Sequence, residues 1–240
     1  MADALSCRDA GKKSEGRIKG SFLVKKFQNV TDPPIVQYSP PRTGSTLVWN
    51  VLRLCFSEKR VKKQHLLTPF QKYRWCPSTF VCSIRNPLDA MASYMNAREI
   101  EYSETAVENT LSMYEGCFEQ VLKLLTRKNV LILRYEHIYH DFDFLFDQLE
   151  MFFGKEIPKD AKSEVILNYS IENVKRIADQ LGDFDNFTEE NHIHGNHISS
   201  HKGATGYFRE YFNAAEVSKV YSRLGDIYRA FDYPDPTAEG

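Results

Sequence analysis

The fold can be read outward from Ile35-Val36-Gln37-Tyr38-Ser39-Pro40-Pro41-Arg42-Thr43-Gly44-Ser45-Thr46-Leu47-Val48-Trp49-Asn50. A short apolar strand leads into a turn holding one glycine and three hydroxyls, and an apolar helix follows. A helix N-terminus presents unpaired N–H groups at the positive end of its macrodipole, which favours an anion there. Gly44 allows backbone to approach a ligand closely. Ser45 and Thr46 can cap the helix or donate to an oxyanion, and Arg42 sets a permanent, fork-shaped cation beside the turn. At this point two readings stand side by side: an anion cradle, and an ordinary strand–turn–helix with a capping serine.

The spacing is not that of a nucleoside-triphosphate P-loop, G-x-x-x-x-G-K-[ST]. The first glycine is missing and no lysine follows Gly44. The turn therefore points to an anion of another shape.

A chain of 240 residues with a net charge of −1 makes one large domain and carries no global field for nucleic acid or a membrane surface. The expected organisation is a loose tail over residues 1–20 and a single domain over 21–240. The five cysteines form no C-x-x-C pair, which fits free thiols in a reducing compartment. No apolar run approaches bilayer length, and residues 1–20 lack a signal-peptide core. A cytoplasmic location without membrane association is expected, and a homodimer is a possible assembly.

Strands are expected over residues 22–27, from Ile35 into the turn, and over 61–67, 79–84 and 129–134. Helices are expected from Gly44 to about Phe56, from Pro87 through Tyr94, and over 104–127, 142–153, 170–181 and 214–231. Residues 182–206 read as a long surface loop. Strands alternating with helices give the fold class α/β: a three-layer sandwich with a central, mostly parallel sheet flanked by helices. Ligands of such sheets bind beyond the carboxyl ends of the strands. Arg42 and Arg85 both fall there, and two converging guanidiniums imply a ligand with more than one anionic group.

Pro41-Arg42-Thr43-Gly44-Ser45-Thr46, together with Ile84-Arg85-Asn86-Pro87-Leu88-Asp89-Ala90-Met91-Ala92-Ser93-Tyr94, resembles the sulfotransferase family that uses 3′-phosphoadenosine 5′-phosphosulfate (PAPS). Arg134-Tyr135-Glu136-His137-Ile138, Tyr169-Ser170-Ile171 and His201-Lys202-Gly203-Ala204-Thr205-Gly206 follow in the family's order, so the resemblance covers about residues 34 to 232. It implies a P-loop-like fold, PAPS as donor and 3′,5′-ADP as product. It implies that Arg42, Thr43, Gly44, Ser45 and Thr46 bind the 5′-phosphosulfate. Arg85 and Ser93 would bind the 3′-phosphate, with His201, Lys202 and Gly203 closing over it. Tyr135 and Ser170 would lie near the nucleotide. Lys63-Gln64-His65 resembles the family's K-x-H element, which makes His65 the general base and Lys63 an assisting cation. Glu136 and Asp89 are alternative bases, although Asp89 is better suited to pairing with a cation or capping its helix.

The chain departs from the family in four places. His201 stands for an arginine, Leu47 for an adenine-stacking tryptophan, and Tyr207 or Phe208 for a late tryptophan; the stretch from Arg42 to Arg85 is short. That stretch usually shapes the acceptor pocket, so the acceptor is left as a small molecule or carbohydrate bearing a hydroxyl or amine. Segments 66–76, 95–105 and 184–200 are expected to form its mouth. Sulfuryl transfer rests on positioning and charge stabilisation, so no metal is expected. The spacing of His192, His194, His197 and His201 lacks a completing cysteine or carboxylate pattern. Two other readings remain: a P-loop kinase of a small metabolite, and a non-catalytic nucleotide-binding member of the family.

Overall fold

The computed structural model describes residues 33–72, 76–196, 198 and 203–238. The expected tail over 1–20, the expected strand over 22–27, and His197, His201 and Lys202 lie outside the described residues. One compact unit spans Pro34–Gly240.

Among the described residues four strands form one sheet: β1 (Ile35–Tyr38), β2 (Val61–Gln64), β3 (Thr79–Ile84) and β4 (Val130–Arg134), in the order β2–β1–β3–β4. Every pair is parallel. Such pairing needs crossover helices, and these cover both faces. The connections are α1 (Ser45–Cys55), a single turn α2 (Pro69–Lys72), and the pair α3 (Pro87–Ala97) and α4 (Glu104–Leu124). Beyond β4 come α5 (Tyr135–Ile138), α6 (Phe142–Phe153), α7 (Lys159–Tyr169), α8 (Ile171–Leu181) and α9 (Ala214–Ala230).

Alternation along the strands assigns each residue to a face. Val36, Phe80, Cys82 and Ile84 pack with Met91 of α3, Tyr114 and Phe118 of α4, and Leu224 of α9. Ile35, Val81 and Leu133 point the other way, onto Val48 and Leu52 of α1, Phe146 and Leu149 of α6, and Val165 of α7. The α/β sandwich expected from the sequence is the one observed. Phe146→Ala, at a fully buried ring, is expected to cost about 3–5 kcal/mol by lost burial and cavity formation, read as a lower denaturant midpoint at unchanged m-value.

Several local expectations need correction. Ser45 and Thr46 are the first helical residues of α1 and do not cap it; the N-cap is Gly44 in the left-handed region, φ 87°, with no side-chain cap. β2 ends at Gln64, short of residue 67. Helix α7 went unpredicted because its apolar residues fall on no one face, and Val165 is its single buried position. The capping of α8 was legible: the Ser170 hydroxyl accepts the Asn173 N–H at 3.4 Å.

Candidate active site

Strand register assembles the site. Tyr38 pairs with Gln64, so Ser39 and His65 leave the sheet together, and His65 Nδ1 meets the Ser39 carbonyl at 2.7 Å. On the other side Gln37 pairs with Val81, which sets Ser39 level with Ser83; their hydroxyls lie 2.8 Å apart. Ile84 pairs with Arg134, so Arg85 and Tyr135 emerge side by side, with the guanidinium 4.7 Å from the ring centroid. All three pairs sit at the carboxyl edge of the sheet.

The turn after β1 spends two of its own hydroxyls on its shape. Ser39 Oγ accepts the Ser83 N–H at 2.8 Å, and Thr43 Oγ1 donates to the carbonyls of Pro40 and Ser83 at 2.8 and 2.9 Å. This corrects the expected role of the Thr43 side chain, which is fully buried and off the cavity wall. Arg42 at φ 61° and Gly44 at φ 87° turn the chain sharply. A β-carbon on Gly44 would stand 2.8 Å from Tyr135 Cδ2, and one on Gly203 would stand 2.2 Å from the Tyr135 hydroxyl. The Tyr135 ring is thus wedged between the first turn and the late loop.

A cavity of about 420 Å³ opens over this edge. Arg42, Lys63, His65 and Arg85 line it with Gly44, Ser45, Thr46, Ser93, Tyr135 and Gly203. No aspartate or glutamate lies on its described wall. Arg42 Nε donates to Ser93 Oγ at 3.1 Å. Arg85 Nη2 donates to the carbonyls of Gly203 and Ala204 at 3.2 and 2.9 Å, while its buried Nε has no partner among the described residues. Glycine-lined backbone, clustered cations and an orphaned buried N–H suit a polyanion and would repel a metal ion.

Lys63 reaches across from β2 and donates to Thr46 Oγ1 at 2.7 Å. Burial, helped by the Arg42 charge, lowers its pKa to about 8. His65 is exposed by surface area, yet protein crowds its ring enough to hold its pKa below the usual imidazole value. The Ser39 carbonyl opposes that shift, and Lys63 adds to it. A carbonyl only accepts, so the neutral ring carries its proton on Nδ1 and leaves Nε2 as a base.

The alternative bases are engaged elsewhere. Glu136 accepts the Asn86 N–H at 2.8 Å and the Tyr233 hydroxyl at 3.1 Å. Asp89, expected to cap its own helix or pair with a cation, instead accepts the N–H groups of Gly206 and Phe208 at 2.7 and 3.2 Å; Asn86 caps α3. Asp89 therefore anchors the late loop. Ser170 is off the cavity wall, where Tyr169 stands in its place. Segments 95–105 and 184–200 reach the cavity through Arg98, Phe184, Ile193, His194 and Ile198. The described part of 66–76 does not, a further correction: it is drawn toward α4 by Leu67 N–H to Gln120 Oε1 at 3.0 Å and by Arg127 Nη2 to the Gln71 carbonyl at 2.5 Å. Tyr139 was missed, although its place four residues after Tyr135 signals a shared face; the two rings stack at 4.8 Å. His192 and His194 pack on Trp49 and Phe184.

Residues 78–225 match the sulfotransferase domain family. The chain belongs to that family. No curated protein sequence matches this sulfotransferase, but solved structures do. Mouse sulfotransferase SULT7A1 complexed with PAP is 18% identical with a TM-score of 0.60, over 84% of this chain and 85% of that one. Retinol dehydratase in complex with androsterone and inactive cofactor PAP is 14% identical with a TM-score of 0.60, over 85% and 82%. Retinol dehydratase in a complex with retinol and PAP is 14% identical with a TM-score of 0.60, over 89% and 88%. At such identities the likeness is one of fold. The family match stops short of residues 35–65, so the first turn and His65 rest on their own geometry.

Proposed function

We propose that this sulfotransferase moves a sulfuryl group from PAPS to a hydroxyl or amine of a small molecule, with His65 as general base. The observation that carries the reading is the placing of His65, its tautomer set by Ser39, in one cavity with Arg42, Lys63 and Arg85, whose described wall holds no carboxylate. Arg85 and Ser93 would hold the 3′-phosphate. The N–H groups at the start of α1, with Arg42 and Lys63, would hold the 5′-phosphosulfate. As the acceptor oxygen or nitrogen bonds to sulfur, its proton passes to His65 Nε2. The bond from sulfur to the bridging oxygen breaks, and the cations stabilise the charge left on that oxygen. The PAP-bound neighbours support this donor, and androsterone and retinol in their complexes support an apolar acceptor over a carbohydrate. The four described cysteines are free and buried, which suits a reducing compartment such as the cytoplasm.

A kinase reading is disfavoured by Thr46. In G-x-x-x-x-G-K-[ST] the hydroxyl at this position holds magnesium, whereas here it accepts from the Lys63 ammonium. Calorimetry decides: 3′,5′-ADP should bind without metal and ATP·Mg only weakly, and the reverse order would overturn the proposal. Lys63→Met should lower kcat by about tenfold or more, with Arg42 keeping part of the charge stabilisation. Because Lys63 must be charged and its pKa is lowered to about 8, kcat/KM of the unmodified protein should fall as pH rises through about 8. Lys63→Met should lose that alkaline limb.

A further inference from the structure

The cavity wall continues beyond the groups assigned to the donor. Besides Arg42, Lys63 and Arg85, a fourth cationic side chain, Arg98, lines the cavity. Arg98 caps the C-terminus of α3, five residues past Ser93 and so roughly 7.5 Å further along the helix axis. Its guanidinium carbon lies 4.4 Å from the Phe184 ring centroid; that of Arg42 lies 5.8 Å from the same centroid. Phe184 thus lies beside both the Arg42 and the Arg98 guanidinium. Tyr94, Met113, Ile193 and Ile198 add apolar wall to the same cavity.

Arg98 donates to Asp185 at 3.2 Å, but the Asp185 side chain is 90% exposed and that of Arg98 is 46% exposed. An ion pair so open to water is worth little and exchanges readily. An incoming anion held against apolar wall would face less competition from water and could use the planar fork in two hydrogen bonds. The lining residues include no carboxylate, so the acidic group an incoming anion must displace at Arg98 is Asp185 itself.

We infer that Arg98 forms an anion subsite of the acceptor pocket. The acceptor is then an amphipathic hydroxy or amino acid: its hydroxyl or amine reaches His65, its apolar body lies along Phe184, and its carboxylate displaces Asp185 from Arg98. The inference rests on the proposed function, because it takes the other cations to be occupied by the donor.

The competing role for Arg98 is purely structural, as a latch holding the 184–196 loop to α3, where Asn196 also donates to Glu99 at 3.3 Å. The two roles separate on paired probes. 4-Hydroxyphenylpropanoate and 12-hydroxydodecanoate, each beside its carboxamide, would be titrated into protein saturated with 3′,5′-ADP. At least one carboxylate should bind tenfold or more tightly than its amide. Arg98→Gln should abolish that preference. Asp185→Asn should tighten carboxylate binding, since it breaks the latch while freeing the guanidinium. A latch alone predicts that both variants weaken acid and amide equally. That result, carboxylates no tighter than amides, a preference surviving Arg98→Gln, or no carboxylate binding at all would each overturn the inference. Failure of 3′,5′-ADP itself to bind would instead strike the donor reading.

Discussion

His65→Ala is expected to lower kcat by about 10²–10⁴-fold, the range that a positioned general base contributes, while 3′,5′-ADP affinity stays within about threefold. The separation follows from where the ring sits. His65 touches the first turn through its Nδ1 bond to the Ser39 carbonyl, but Ser39 is also fixed by Ser83 through two contacts at 2.8 Å. The turn should therefore keep its shape without the imidazole. His65→Gln supplies a side chain that can keep a hydrogen bond to Ser39 but takes no proton at neutral pH, and it should be as inactive as alanine.

The acid limb of the kcat/KM profile gives a second check. Crowding lowers the His65 pKa below 6.5, so the neutral, base-competent ring persists to lower pH than a free imidazole would. Activity should hold through pH 6.5 and fall only below it; a limb centred above pH 7 would contradict this. A variant that transfers sulfuryl groups at the parental rate would remove His65 from the reaction.

Much of this was legible because register, once the strands are placed, leaves little freedom. Expected strand ends at Ile84 and Arg134 put Arg85 and Tyr135 on one edge, whereas the expected strand over 61–67 overruns Gln64, and the observed register is what sets His65 beside Ser39. What could not be read was which polar groups the fold keeps for itself. Thr43 is expected at the donor and Asp89 to pair with a cation or cap its helix, yet both bind backbone elsewhere: Thr43 the carbonyls of Pro40 and Ser83, Asp89 the amides of Gly206 and Phe208. Hydroxyls and carboxylates serve either purpose, and only three-dimensional proximity decides between them. Arg98 was hidden for the same reason. A lone arginine at a helix end usually serves the helix dipole, and its partner Phe184 is 86 positions away in the chain.

Gly44→Ala should weaken 3′,5′-ADP binding by about a hundredfold, or about 2.7 kcal/mol, with little change in secondary structure. Two effects combine at this position. At φ 87° a side chain strains the backbone, a cost of about 1–2 kcal/mol. In addition, the new methyl would meet Tyr135 Cδ2 at 2.8 Å, so either the ring or the turn must move. Tyr135 cannot retreat easily, because Gly203 lies against its hydroxyl and Tyr139 stacks on its face. The turn should yield instead, swinging the first N–H groups of α1 away from the anion they would hold. Gly154→Ala provides the control. Gly154 also has a left-handed backbone, φ 62°, but a β-carbon there meets nothing within 4 Å. It should cost only the backbone strain, seen in the denaturant midpoint, and leave 3′,5′-ADP affinity unchanged. Equal losses of affinity in the two variants would mean that general destabilisation, and not the wedge of Tyr135 against the turn, governs the site. Normal affinity in Gly44→Ala would mean that the turn does not bind the donor at all.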